Sequence, residues 1–105
     1  MKMNNETLID FCFIRSICEG FKKEVDELLQ SLFMEHHLYW YLDERQDAGA
    51  VIIVAELRGM SMWESEEEVL NFLEKRGTSQ FWEYLQGYQI QVFSDKKGCG
   101  SCGSR

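Results

Sequence analysis

The feature that most constrains the fold is a long segment near the N-terminus in which apolar side chains recur every three or four positions. Residues 5–35 contain no proline and a single glycine, Gly20. The spacing is typical of an amphipathic helix with a heptad stripe, and it predicts a long N-terminal helix. The stripe is formed by apolar side chains at seven positions: Phe11, Ile14, Cys18, Phe21, Val25, Leu28 and Leu32.

A helix of this length does not fit inside its own domain. It would be ~45 Å long, whereas a compact domain of this size has a diameter of roughly 33 Å. Two arrangements resolve the mismatch: either the helix breaks near Gly20 and folds back, or it stays long and packs against a second copy. We expect a homodimer, with an interface formed by the apolar side chains of the stripe: Phe11, Ile14, Phe21, Val25, Leu28 and Leu32.

The middle of the chain has the alternation of a β-hairpin. Residues 37–42 alternate between two faces, which predicts a strand, and residues 50–55 form a β-branched run typical of a strand covered on both faces. The polar stretch between them predicts a connecting loop of about six residues. Tyr39 and Tyr41 share the strand face opposite the apolar side chains, and they form an interface if that face is uncovered.

The C-terminal half predicts two helices and a strand. Ser61 begins a capping-box pattern, so we expect a helix over residues 62–76 with Gly77 as a left-handed C-cap. A shorter helix over 79–86 and a final strand over 88–93 follow. The expected fold is therefore α+β, with a three-stranded sheet packed by helices.

Composition predicts one domain and a tail. The chain has 105 residues, of which 45% are hydrophobic, which is enough apolar surface for one core. After residue 95 the sequence changes to Lys, Gly, Ser and Cys. We expect a single α+β domain over residues 1–95 and a flexible tail over residues 96–105.

The charge balance restricts the partners. The formal net charge is -7, and the 11 Lys and Arg residues are scattered, so a nucleic-acid partner is not expected. The sequence has neither a secretory leader pattern nor an apolar stretch of membrane-spanning length, which predicts a cytoplasmic protein without membrane insertion. An acidic surface favours a basic protein partner.

Cys99 and Cys102 are the most specific chemical feature. A Cys-x-x-Cys pair among glycines can hold zinc or copper(I), or it can close a redox disulfide. A structural zinc site needs four ligands, and no second pair is present; the tail can equally be inert. A thiol- or metal-handling function through this tail is therefore the alternative hypothesis, and no other cofactor is expected.

Catalysis by the folded body is not expected. Cys12 or Cys18 together with His36 or His37 would supply a nucleophile and a base, but no local motif joins them. Both cysteines lie among apolar side chains, where small buried hydrophobes are the simpler interpretation. The sequence therefore predicts a non-enzymatic protein-binding or regulatory module that recognises its partner through an acidic and aromatic surface.

Overall fold

Four antiparallel strands and three helices make up the part of the chain that the computed structural model describes, residues 5–17 and 19–93. The strand order in the sheet is β2-β3-β1-β4. The elements, in chain order, are β1 (Asn5–Ser16), α1 (Phe21–Phe33), β2 (His37–Asp47), β3 (Ala50–Ser61), α2 (Glu66–Arg76), α3 (Ser79–Tyr84) and β4 (Leu85–Phe93). In these two described ranges, no helix is long and apolar enough to cross a membrane.

The predicted long N-terminal helix is wrong, because its first half is the strand β1. This strand lies between β3 and β4 and pairs with both. Ile9, Phe11 and Phe13 point into the core, where they are almost completely buried. Leu8, Cys12 and Ile14 alternate with them on the opposite face and are also apolar, so the period of two that marks a strand was hidden.

Gly20 separates β1 from a much shorter helix. It adopts a left-handed backbone conformation with φ of 83°, which glycine tolerates without the Cβ clash of other residues. Helix α1 then runs for only 13 residues and buries one stripe, which includes Phe21, Val25 and Leu29. The chain does change direction near Gly20, but it joins a strand to a helix rather than two helices.

The predicted three-stranded sheet is also wrong, because β1 adds a fourth strand at a central position. The chain remains α+β. All three helices pack on one face of the sheet in a single core of the described residues, with a cluster of aromatic rings around Phe81. The edge-to-face contact between Phe11 and Phe81 has a ring-centroid distance of 5.4 Å.

The β2–β3 hairpin is longer and tighter than predicted. The polar residues after Leu42 continue the strand to Asp47, and the connection is the two-residue turn Ala48-Gly49. Both turn residues have positive φ, as a type I′ turn requires. The expected loop of about six residues was wrong because polar side chains on an exposed strand resemble a loop in sequence.

Helix α2 begins later than predicted. Ser65, not Ser61, is the N-cap, and its Oγ accepts a hydrogen bond from the backbone N–H of Glu68. Ser61 lies at the end of β3, where its hydroxyl is 2.7 Å from that of Thr7. The helix ends at Arg76 as expected, but Gly77 is extended, with φ of -71°, rather than left-handed.

Candidate functional site

The face of the sheet that points away from the helices is not covered by any helix or strand of the described residues; we call it the open face. It consists of alternate residues from all four strands. None of its side chains belongs to the core that the three helices cover. Its members include Glu6, Leu8, Asp10, Cys12, Ile14, His37, Tyr39, Tyr41, Asp43, Arg45, Ile52, Val54, Glu56, Arg58, Met60, Gln89, Gln91 and Phe93.

Tyr39 and Tyr41 stand beside each other on the open face. They are 70% and 68% exposed, which is high for aromatic side chains in a strand. The strand register places Tyr39 opposite Arg58 and Tyr41 opposite Glu56. The two rings therefore flank a pair of oppositely charged side chains.

The register also brings carboxylates together. Glu56 lies directly opposite Asp10 on the neighbouring strand. Arg58 Nη1 is 3.2 Å from Asp10 Oδ1 and offsets that charge. Within the described ranges, Glu56 forms no ion pair. Like charges directly opposite each other destabilise a sheet, and the ion pair of Arg58 with Asp10 reduces that cost here without pairing Glu56.

The other half of the open face is apolar on its two central strands. Cys12 lies opposite Val54 and Ile14 lies opposite Ile52, and all four side chains are half-buried. Beside them on β2, Arg45 Nε donates to Asp43 Oδ2 at 2.8 Å. The open face thus combines an acidic, aromatic half with a half that is apolar on β1 and β3, which is the mixture found at protein interfaces.

The structure separates the candidate nucleophile from the candidate bases. Cys12 pairs with Val54, whereas His37 pairs with Met60 of the same strand. At about 3.3 Å per residue, these positions are roughly 20 Å apart. No Cys–His pair forms in the described part of the chain, and Cys18 lies outside it.

His36 packs its ring in an aromatic cluster. Its ring stacks on Trp63 at 4.8 Å between centroids and contacts Phe72 edge-on at the same distance. Its Nδ1 is buried and has no hydrogen-bond partner among the described residues. Burial lowers the pKa of His36, with smaller contributions from Arg76 and His37, while Glu35 opposes the shift. The ring is therefore held neutral in an aromatic cluster.

The described part of the chain contains no candidate metal site. No group of three or more His, Cys, Asp or Glu side chains could hold a metal ion there. Cys99 and Cys102, the predicted zinc or copper(I) ligands, lie outside the described residues, as does the predicted boundary after residue 95. The tail hypothesis therefore stays a prediction.

The predicted interface residues are divided among three locations. Phe11, Phe21, Val25 and Leu32 lie in the core of one chain, and Leu28 packs against that core. Ile14 lies on the open face with Tyr39 and Tyr41. The predicted helical seam therefore does not exist as a surface. Strand β1 replaces the first half of the predicted helix, and α1 buries the second half of the stripe against its own sheet. Dimerisation itself stays a prediction.

Sequence reasoning missed Asp10, Glu56 and Arg58. Their meeting depends on the pairing of β1 with β3, and β1 had been interpreted as helix. One signal was present: Glu56 and Arg58 continue the alternation of the apolar run that precedes them. Extending that strand would have placed both on one face.

Comparisons with known proteins inform the fold only. No protein family model matches the chain. No curated protein matches it either. Among solved structures, the chain is similar to "De novo designed protein Foldit4", with 11% identity, coverage of 85% of this chain and 97% of that chain, and a TM-score of 0.54. At this identity, the likeness supports the α+β architecture and carries no functional information.

Proposed function

We propose that this protein is a small, acidic, non-enzymatic protein-binding module that docks a basic segment of another protein on its open face. The observation that carries the proposal is the position of Glu56. It lies between the exposed ring of Tyr41 and the carboxylate of Asp10, and it forms no ion pair with a described residue.

This arrangement suits an arginine or lysine side chain. An arginine guanidinium can stack on a tyrosine ring while it donates hydrogen bonds to a carboxylate. Tyr39 and Tyr41 provide rigid aromatic area, which is enriched at the energetic centres of interfaces. A net charge of -7 would also accelerate the encounter with a basic partner.

The facing carboxylates of Glu56 and Asp10 favour a binding role over a purely structural one. Glu56 and Asp10 face each other across two strands, and among the described residues Arg58 pairs with Asp10 but not with Glu56. A locally unfavourable choice of this kind is expected at functional surfaces. A cation from a partner would remove the repulsion and would thereby gain affinity.

The proposal is tested with a short, blocked oligoarginine peptide and two matched pairs of variants. Glu56→Lys on the open face and Glu67→Lys on helix α2 change the net charge equally. We expect Glu56→Lys to weaken binding about tenfold and Glu67→Lys to weaken it about twofold or less. Isothermal titration calorimetry measures both, and circular dichroism confirms that each variant folds.

Aromatic recognition is tested separately from charge. Replacing Tyr39 and Tyr41 together by Ala should weaken binding about tenfold, whereas Tyr88→Ala should not. Tyr88 is also exposed, at 48%, but it lies opposite Phe11 on the helix-bearing side of the sheet. Equal losses for Glu56→Lys and Glu67→Lys, or for the Tyr39/Tyr41 and Tyr88 variants, would show nonspecific attraction and refute the proposal.

A further inference from the structure

The two edge strands of the sheet, β2 and β4, differ in how well they are protected against pairing with another strand. At the β4 edge, the backbone N–H of Val92 donates to Glu66 Oε2 at 3.3 Å, and the β1–β4 register shifts between Cys12 and Phe13. A covering side chain and a bulge are both devices that prevent an edge from pairing with another strand. The β4 edge is therefore a poor template for an added strand.

The β2 edge has neither device. Its register with β3 runs without a shift from His37 to Asp47, and in the described part of the chain only β3 pairs with it. Its first half, residues 38–42, contains no proline, glycine or charged residue. This exposed, regular and largely apolar first half is a template for strand addition, whereas the charged residues within 43–47 protect the second half of the edge.

A groove runs beside this edge, between β2 and helix α1. It contains two hollows of about 640 and 680 Å³. The first is lined by Phe33, Met34 and Leu38, and the second is lined by Lys22, Lys23 and Leu42, with Trp40 common to both. Volumes of this size accommodate side chains of a bound segment.

The Trp40 indole divides the groove at a fixed position. Its Nε1 donates to Asp26 Oδ1 at 2.8 Å, and Gln30 Nε2 donates to Asp26 Oδ2 at 2.7 Å. Gln30 thus orients the Asp26 carboxylate, which in turn accepts the hydrogen bond of the Trp40 indole. The hollows are consequently preformed, which lowers the entropic cost of binding.

The second hollow favours an acidic group. Lys22 and Lys23 line it from the helix side, and neither forms an ion pair within residues 5–17 and 19–93. Two carboxylates also line the hollow, but Asp26 is occupied by Trp40 and Gln30, which leaves Glu44. Two uncommitted cations therefore face one uncommitted carboxylate.

We propose that the β2 edge and its groove bind an extended peptide strand of a partner, antiparallel to β2. Side chains of an added strand face the helix at every second residue, about 6.6 Å apart, so apolar side chains at alternate positions enter the hollows. An acidic side chain precedes them and lies near Lys22 and Lys23. This groove lies on the helix side of β2 and takes a ligand of opposite charge to that of the open face, although Tyr41 of β2 borders both surfaces.

The probe is a blocked peptide of sequence Asp-Thr-Val-Thr-Leu-Thr, titrated into the full chain by calorimetry. Only alternate residues of an added antiparallel strand donate backbone hydrogen bonds to the edge. Two modified peptides are therefore compared, one N-methylated at its three Thr residues and one N-methylated at Asp, Val and Leu. One of them should bind at least tenfold more weakly than the unmodified probe, and the affinity of the other should change about twofold or less.

Matched variants locate the peptide. Met34→Glu should weaken binding about tenfold because Met34 lines the first hollow, whereas Met62→Glu should not. Both methionines are exposed, at 72% and 60%, so neither change disturbs the core. The wild type should bind the probe more tightly than a second peptide that has Lys in place of the first Asp. Replacing Lys22 and Lys23 by Glu should reverse this preference.

Three results would overturn the proposal. The first is no binding of the probe by the wild type at about millimolar concentration. The second is an equal effect of the two N-methylated sets, which would exclude backbone pairing. The third is equal binding by the Met34→Glu and Met62→Glu variants, which would place the peptide elsewhere.

Discussion

Gly59 and Gly87 both occur in strands of the sheet, but they differ in the space around them. A methyl group on Gly59 would contact the His37 carbonyl oxygen and would lie 2.9 Å from Leu38 Cδ2. A methyl group on Gly87 would have no neighbour within 4 Å. Gly59 therefore allows the close approach of β2 to β3 at the beginning of the β2 edge.

We expect Gly59→Ala to lower the free energy of unfolding by about 2 kcal/mol, because β2 must shift to relieve the overlap. Gly87→Ala should change it by about 0.5 kcal/mol or less. Urea denaturation followed by tryptophan fluorescence measures both. Similar stabilities for the two variants would show that β2 does not pack against Gly59 as closely as described.

His36 couples stability to pH. Its pKa is lowered below the ordinary value of 6.5, chiefly by burial, so the folded chain binds fewer protons here than the unfolded chain when pH falls below 6.5. Above pH 6.5, the neutral ring makes its full contribution to the free energy of unfolding. This contribution is lost as the pH falls from 6.5 through the lowered pKa of the folded state.

Replacing His36 by Phe should remove this dependence, because Phe fits among Trp63, Phe72 and Phe33 and does not titrate. We expect the midpoint temperature of the wild type to fall more between about pH 7 and pH 5 than that of His36→Phe. Differential scanning calorimetry at both pH values measures the difference. An equal fall in the two proteins would mean that His36 is not held neutral by burial.

At the scale of elements, β1 shows why the helical prediction failed. Its inward side chains, such as Phe11, and most of its outward side chains, such as Ile14, are apolar, because the strand is central and the apolar half of the open face adjoins it. Between residues 8 and 14 only Asp10 is polar, so a period of two is hidden. Phe21 and Val25 then continue the apolar spacing beyond the strand, and the two elements together resembled a single heptad stripe.

Elements with clear ends were predicted better. Helix α2 ends at Arg76, and the strand predicted over residues 88–93 is part of β4. Both follow from local chemistry, since Gly77 ends the apolar spacing and alternation marks the strand. Ser65 was missed as the N-cap because Ser61 offers the same sequence pattern, and only the length of β3 decides between them.

The open face could be predicted only in part. Alternation placed Tyr39 and Tyr41 on one face, and the two rings are exposed there. The facing of Glu56 and Asp10, however, depends on the register between two strands distant in sequence. Register of this kind is fixed by side-chain packing across the whole sheet, and a local sequence pattern does not report that packing.

At the scale of the whole molecule, the described residues form a two-layer structure in which the helices cover only one face of the sheet. The described residues measure 48 × 28 × 19 Å, and the shortest dimension matches one sheet with one layer of helices. The helices complete the core on one side, so the open face is available for contact. Its acidic and aromatic half, together with the β2 edge, would allow one small domain to bind a partner on two surfaces.

The most direct measurement is the map of backbone amide shifts when an isotope-labelled full chain is titrated with the oligoarginine peptide. We expect the largest changes at Tyr39, Tyr41, Asp10 and Glu56, and small changes at the acidic start of α2, residues 66–68, which carries more negative charge. Shifts concentrated on α2, or spread evenly over all acidic residues, would contradict a binding role for the open face.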